Sequence, residues 1–275
     1  MADSRLIPAR PDLAAAHLKG QVEAARFVAG ENCSVTVGRA SLHHAPSGES
    51  PQDNELLFGE SFTVYERKEG WAWGQASSDL YVGYLPERAL GAPFAPDAKV
   101  AVPMMPVFPL PDLKKPVRDF LPLNATVRQG ARNGDYVEIG TGAFVHHRHL
   151  APLSHKESDF AAVAEQFLGV PYVWGGKTFA GLDCSGLIQT ALAATGIKAP
   201  RDTDMQEQAL GRDVAQQKRN RGDLVFWKGH MGVMLNATTL LHANAFHMQV
   251  AIEPLSEAVA RIEKIVGRVT SIKRL

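Results

Sequence analysis

The stretch Leu182-Asp183-Cys184-Ser185-Gly186, running on into Leu187-Ile188-Gln189-Thr190-Ala191-Leu192, decides how this chain is read. It opens with a cysteine framed by small and polar residues and continues as an apolar run of helical character. Tyr172-Val173-Trp174-Gly175-Gly176 leads into it, and Gly181 and Gly186 flank the cysteine, so backbone and substrate can approach closely. A thiol at the start of a helix sits where the dipole and unpaired amides favour its thiolate. Cys184 is therefore the candidate nucleophile, and the rest of the chain is searched for a base and for a group that orients the base.

The base is expected on a separate element. After Gly222-Asp223 come runs of β-formers: Leu224-Val225-Phe226-Trp227, His230 to Leu235, Thr239 to Ala243 and Gln249 to Ile252. His230 begins its strand and alternates with Met231, Val233 and Leu235, so it faces away from that apolar set. A hairpin centred on Asn236 would set His230 directly opposite His242, with one imidazole orienting the other. A zinc site built on Cys184, His230 and His242 is the competing reading, but no second cysteine near Cys184 and no close-spaced ligand pair supports it. The tail from Ile262 to Arg274 reads as a last strand. Phe160, Val163, Ala164, Phe167 and Leu168 give a helix before the cysteine, so residues 154–275 form an α+β domain, helices first and strands after.

Upstream the texture changes. Five short runs of β-formers between Cys33 and Leu90, punctuated by glycine turns, make a small barrel over 31–92. Eight of the chain's 17 prolines fall between 93 and 122 and read as stiff linker. Ala143-Phe144-Val145 followed by Arg148-His149-Leu150 repeats Gly83-Tyr84-Leu85 followed by Arg88-Ala89-Leu90, so 93–153 holds that linker and a second copy of the barrel. His146, His147 and His149 crowd this copy. Neighbouring strand residues point to opposite faces, which argues for surface histidines rather than metal ligands. Residues 1–30 are read as a helical segment, with Asp12 as cap and a helix over 12–29.

Lys+Arg and Asp+Glu are balanced at 29 each, and no basic run would track a phosphate backbone. No stretch approaches the length of a membrane span. If Met1 is the native start, no leader precedes it and a cytoplasmic location is expected. With two cysteines, Cys33 and Cys184, a structural disulfide is not needed in a chain of this size.

The ordered motifs Pro171-Tyr172-Val173-Trp174-Gly175-Gly176, Asp183-Cys184-Ser185-Gly186, Gly222-Asp223-Leu224-Val225-Phe226, Gly229-His230-Met231-Gly232-Val233 and His242 resemble the NlpC family of bacterial cell-wall cysteine peptidases, with a reduced papain-like fold. The resemblance covers about residues 157–270, and the two repeats before it resemble bacterial SH3-like domains. The family's histidine is usually followed by Val; here Met231 stands there, a change of packing rather than chemistry. The layout is similar to γ-D-glutamyl-L-diamino acid endopeptidases of the dipeptidyl-peptidase VI type.

The resemblance implies that Cys184 attacks the amide between γ-D-Glu and the diamino acid, that His230 carries the proton and that His242 orients His230. It implies Tyr172 and the Cys184 amide as oxyanion donors. Asp202 would face the ammonium of a free L-Ala, with Asp183, Ser185, Thr203 and Trp174 lining the pocket and Tyr81 (or Tyr84) reaching in from the first barrel. No metal or cofactor is called for, the partner is a murein peptide, and a monomer is favoured. The function so implied is recycling of murein peptides. An exported hydrolase remodelling intact wall, a non-catalytic murein-binding protein and a lipid acyltransferase are the other readings.

Overall fold

Cys184 begins an 11-residue helix, α2 (Cys184–Ala194), because Asp183 caps it: the Asp183 carboxylate accepts from the amide of Gly186. Nearly every residue of α2 is buried, as its apolar sequence demands. In the computed structural model, which describes residues 3–140 and 142–275, α2 belongs to the second of two compact units, Met1–Leu153 and Ser154–Leu275.

The second unit also contains α1 (Phe160–Glu165), α3 (Thr203–Ala209) and α4 (Leu255–Val266). Its sheet has six strands: β1 (Arg212–Asp213), β2 (Leu224–Trp227), β3 (His230–Met234), β4 (Thr239–Asn244), β5 (Gln249–Pro254) and β6 (Ser271–Arg274). The order is β1-β6-β2-β3-β4-β5, and the paired strands are antiparallel. The helix α2 lies against β3 and β4. Leu255, Ala258 and Ile262 of α4 pack with Val225, Trp227, Met234 and Leu240 of the sheet. The tail expected as one strand from Ile262 to Arg274 is thus the end of α4 followed by β6. Leu255, Ala258 and Ile262 recur at helical, not strand, spacing and bury one face.

The hairpin of β3 and β4 pairs Val233 with Leu241 and Met234 with Leu240. Its centre is therefore Ala237 rather than Asn236. Asn236 is spent in the turn, where its side-chain oxygen accepts from the amides of Thr238 and Thr239. Continuing the register puts His242 opposite Gly232 and diagonal to His230, still on one face.

In the first unit a seven-stranded antiparallel sheet runs Gln52–Leu57, Arg39–His43, Val82–Pro86, Trp71–Ala76, Ser61–Lys68, Glu31–Val35, Leu90–Gly91. Leu42, Leu56, Phe62 and Leu85 fill its core. The strand Arg39–His43 was not evident in the sequence. Beyond Pro93 the chain forms three small sheets around one core of Val100, Met105, Leu121, Val127, Ile139 and Val145 rather than one closed sheet. Leu57 and Phe58 of the first sheet join that core. The strand and 3-10 turn at Val82–Ala89 have their counterparts at Ala143–His149.

Residues 12–29 are not the expected helix. They hold two-residue strands, Ala14–Ala15 and Phe27–Val28, and a 3-10 turn at Ala16–Leu18. The Asp12 carboxylate, expected as the cap, accepts from Arg10 instead. Arg10 also lies 4.3 Å over the Trp73 ring and donates to Tyr84, so this arm is clamped to the first barrel. Both cysteines are free thiols. Among the described residues, no helix is long and apolar enough to cross a membrane.

Candidate active site

The frame around Cys184 is built on Asp183. Its carboxylate accepts from the amides of Gly175 and Gly186, at 2.9 and 2.7 Å, and from the Ser185 hydroxyl. Arg201, 1% exposed, donates to both Asp183 oxygens and to the Ser185 hydroxyl. One buried guanidinium thus braces the glycine turn, the cysteine loop and the approach to α3. Gly186 fits because a side chain there would meet the carbonyl of Gly176. Arg201 escaped the sequence reading because it sits among the substrate-pocket candidates, and burial of a charge has no local sequence signal.

Cys184 is 6% exposed. Its sulfur lies 3.6 Å from the Thr203 hydroxyl, and the amide of Met231, next in the chain to His230, also reaches it. The expected acidification by the helix start does not prevail. Burial first, and then the Asp183 charge, push the thiol up to about 11. The capping carboxylate that makes the helix start also offsets the dipole there.

His230 approaches His242 with Nε2 2.8 Å from Nδ1. Burial pushes His230 down to about 3 and moves His242 in the same direction. At rest, then, the thiol keeps its proton and both imidazoles are neutral at ordinary pH. Gly232 makes the meeting of the rings possible: a Cβ there would come 2.9 Å from that of His242. Beyond His242, Nε2 lies 2.6 Å from Oε1 of Glu253. Arg261 of α4 donates to both Glu253 oxygens.

Neither Glu253 nor Arg261 was read from the sequence. The sequence predicts a strand ending at Ile252, two residues short of Pro254. The available signal was alternation: Gln249, Ala251 and Glu253 share a face, and Ala251 is the register partner of His242. Glu253 is 7% exposed while Ile252 is 42% exposed, the inverse of what hydropathy suggests.

The remaining candidates are dispersed. Tyr172 is partly buried, and its phenol is raised, by burial first and then by Cys184 and Asp183, so it stays a protonated donor beside the sulfur. Asp202 holds the N-cap position of α3 without a side-chain cap bond, next to the buried Thr203. Trp174 is 66% exposed. The Asp183 carboxylate and the Ser185 hydroxyl are bonded within the frame, so their first role is to hold the loop. Tyr81 packs in the core of the first barrel with Phe62 and Leu85, and Tyr84 accepts from Arg10.

His146 and His147 stack at 5.5 Å, because the strand ends at His146 and a 3-10 turn begins at His147. Neighbouring rings are therefore not sent to opposite faces, contrary to the expectation. Among the described residues His242, His247 and Glu253 bring three ligating atoms within 4.8 Å of one another. The Arg261 guanidinium on Glu253 opposes a cation at that place.

A thiol at the start of a buried helix, reached by the amide of Met231 next to a hydrogen-bonded histidine pair on an antiparallel sheet, fits a papain-like cysteine-peptidase domain. Residues 169–267 match the NlpC/P60 family and residues 42–90 the bacterial dipeptidyl-peptidase Sh3 domain. The chain thus carries an NlpC/P60 cysteine-peptidase domain preceded by a bacterial SH3 domain. A gamma-D-glutamyl-L-lysine dipeptidyl-peptidase of Bacillus subtilis is 30% identical over 47% of this chain and 48% of its own length. One of the same name from Bacillus cereus is 27% identical over 74% of this chain and 71% of its own. A dipeptidyl-peptidase 6 of Lysinibacillus sphaericus is 33% identical over 34% of this chain and 35% of its own. The chain therefore spans about a third to a half of the length of two of these curated relatives. The crystal structure of an NlpC/P60 family protein from Bacillus cereus superposes with a TM-score of 0.74 at 19% identity, covering 89% of this chain and 99% of that one, which shows the fold.

Proposed function

We propose that this chain hydrolyses the amide between γ-D-Glu and a diamino acid in murein peptides that carry a free N-terminal L-Ala. The observation that carries the chemistry is the sulfur of Cys184 held by the Met231 amide beside a neutral His230–His242 pair. Cys184 attacks the γ-carbonyl and its proton passes to His230. The oxyanion is met by the Tyr172 hydroxyl and by the Cys184 amide, which at the first helical position has no partner within the helix. His230 gives its proton to the leaving amine. The thioester is then hydrolysed by water, with His230 again as base.

The substrate reading is supported by the relatives' names and by Asp202. A carboxylate one residue from the Thr203 that touches the sulfur suits a substrate ammonium. Specificity for a free amine suits peptides already released from the wall, hence recycling in the cytoplasm. The test is mass spectrometry of digests of L-Ala-γ-D-Glu-diaminopimelate and its N-acetylated form. Release of L-Ala-D-Glu from the free peptide alone is expected, and Asp202→Asn should narrow the difference. Equal cleavage of both would overturn the amine gate and favour an exported hydrolase acting on intact wall. Cleavage of neither would overturn the peptidase assignment to this bond.

A further inference from the structure

His242 is the last member of the relay by sequence, yet the hydrogen-bonded chain does not stop there. Its Nε2 is 2.6 Å from the Glu253 carboxylate, which Arg261 grips through both oxygens. Arg261 is itself laid 4.2 Å over the Phe246 ring, so the clamp is fixed from α4 and from the β4–β5 turn together. We propose that Glu253, clamped by Arg261, is a positioning residue of the peptidase site that fixes the tautomers of both histidines.

The argument is one of donors and acceptors. An ionised carboxylate only accepts, so His242 must carry its proton on Nε2. Its Nδ1 is then a bare acceptor, and the contact with His230 requires the proton on Nε2 of His230. That leaves Nδ1 of His230 as the bare nitrogen able to take the Cys184 proton. One charge on β5 therefore decides, through two rings, which nitrogen of His230 is left unprotonated. Carboxylates backing a histidine do the same for metal-ligating imidazoles. The arginine holds Glu253 well down, at about 2, so the carboxylate keeps its charge throughout the working range.

The charge also stabilises the imidazolium that forms during attack. The charged and titratable groups bearing on the histidine pair are Glu253 from β5, Arg261 from α4 and His247 from the β4–β5 turn. Glu253 raises both rings, whereas Arg261 lowers them, so removing the carboxylate lowers their proton affinity.

This inference rests on the Cys184–His230–His242 reading, and its test has an arm that needs no turnover. The full chain labelled with 15N-histidine is compared as wild type, Glu253→Gln and Glu253→Asp. In the wild type both rings are expected as the single Nε2–H tautomer. In Glu253→Gln, where the amide can turn either its oxygen or its nitrogen to His242, Nδ1–H signals are expected, and Glu253→Asp should restore the wild-type pattern in part. On the peptide substrate, Glu253→Gln should lower kcat by about 10–100-fold and move the histidine limb of the pH profile to lower pH, with KM nearly unchanged. Tautomers and pH limb unchanged in a folded Glu253→Gln protein would overturn the proposal. If the wild type cleaves no peptide, the tautomer arm alone decides it.

Discussion

Arg201 shows how much of the site's frame depends on one buried residue. It is buried with Asp183, and the pair ties together three loops. Breaking a buried, hydrogen-bonded ion pair typically costs about 3–5 kcal/mol. Arg201→Met is expected to lower the urea midpoint by a corresponding amount, and a midpoint within error of wild type would remove Arg201 from that role. His230 gives a second test at this scale. Its folded value lies near 3, well below the ordinary 6.5. The stability gained by keeping this ring neutral is whole above pH 6.5 and is lost as the pH falls toward 3, because the unfolded chain takes up the proton first. Urea midpoints measured from pH 7.5 to 4.5 should fall, and His230→Gln should flatten the slope. The motifs around Cys184, His230 and His242 stand out in the sequence because they are short and distinctive, and the structure joins the two histidines. Glu253 and Arg201 do not stand out, because a buried charge is identified by its partners, and those lie 11 and 18 residues away.

At the scale of elements, the β3–β4 hairpin and α4 decide where the histidines sit. Sequence placed both histidines on facing strands and on one face. It missed the centre by one residue, because Asn236 folds into the turn rather than forming its apex. The diagonal pairing that results works only with glycine at 232. Gly232→Ala would put a methyl 2.9 Å from the His242 Cβ and from the Leu241 carbonyl. Overpacking of this kind costs about 1–3 kcal/mol. Here the cheapest relief is a shift of His242, so kcat should fall more than stability does. A variant with wild-type kcat would show that the hairpin absorbs the methyl elsewhere. Only the end of α4, from Ile262, was read as strand, and Leu255 to Arg261 were assigned to no element. The error had a consequence, as α4 supplies the clamp on Glu253.

For the whole molecule, the sequence changes texture from strands and prolines to a helix, a cysteine motif and a sheet, and the second compact unit begins at Ser154. The N-terminal arm was not legible, because Leu13, Ala14 and Ala15, all buried, satisfy a loose helical stripe equally well as an extended edge. The core of Val225, Trp227, Met234 and Leu255 lies within Ser154–Leu275. That unit produced alone is therefore expected to unfold cooperatively, as followed by circular dichroism. A featureless melt would mean that its core is incomplete without the first 153 residues. The central claim, that Cys184 is the nucleophile of a γ-D-glutamyl peptidase, is tested most directly by acid-quenching the reaction with L-Ala-γ-D-Glu-diaminopimelate and weighing the intact protein. The account predicts a transient L-Ala-γ-D-Glu adduct mapped to Cys184, and neither adduct nor turnover in Cys184→Ala. Turnover that persists in Cys184→Ala would contradict it.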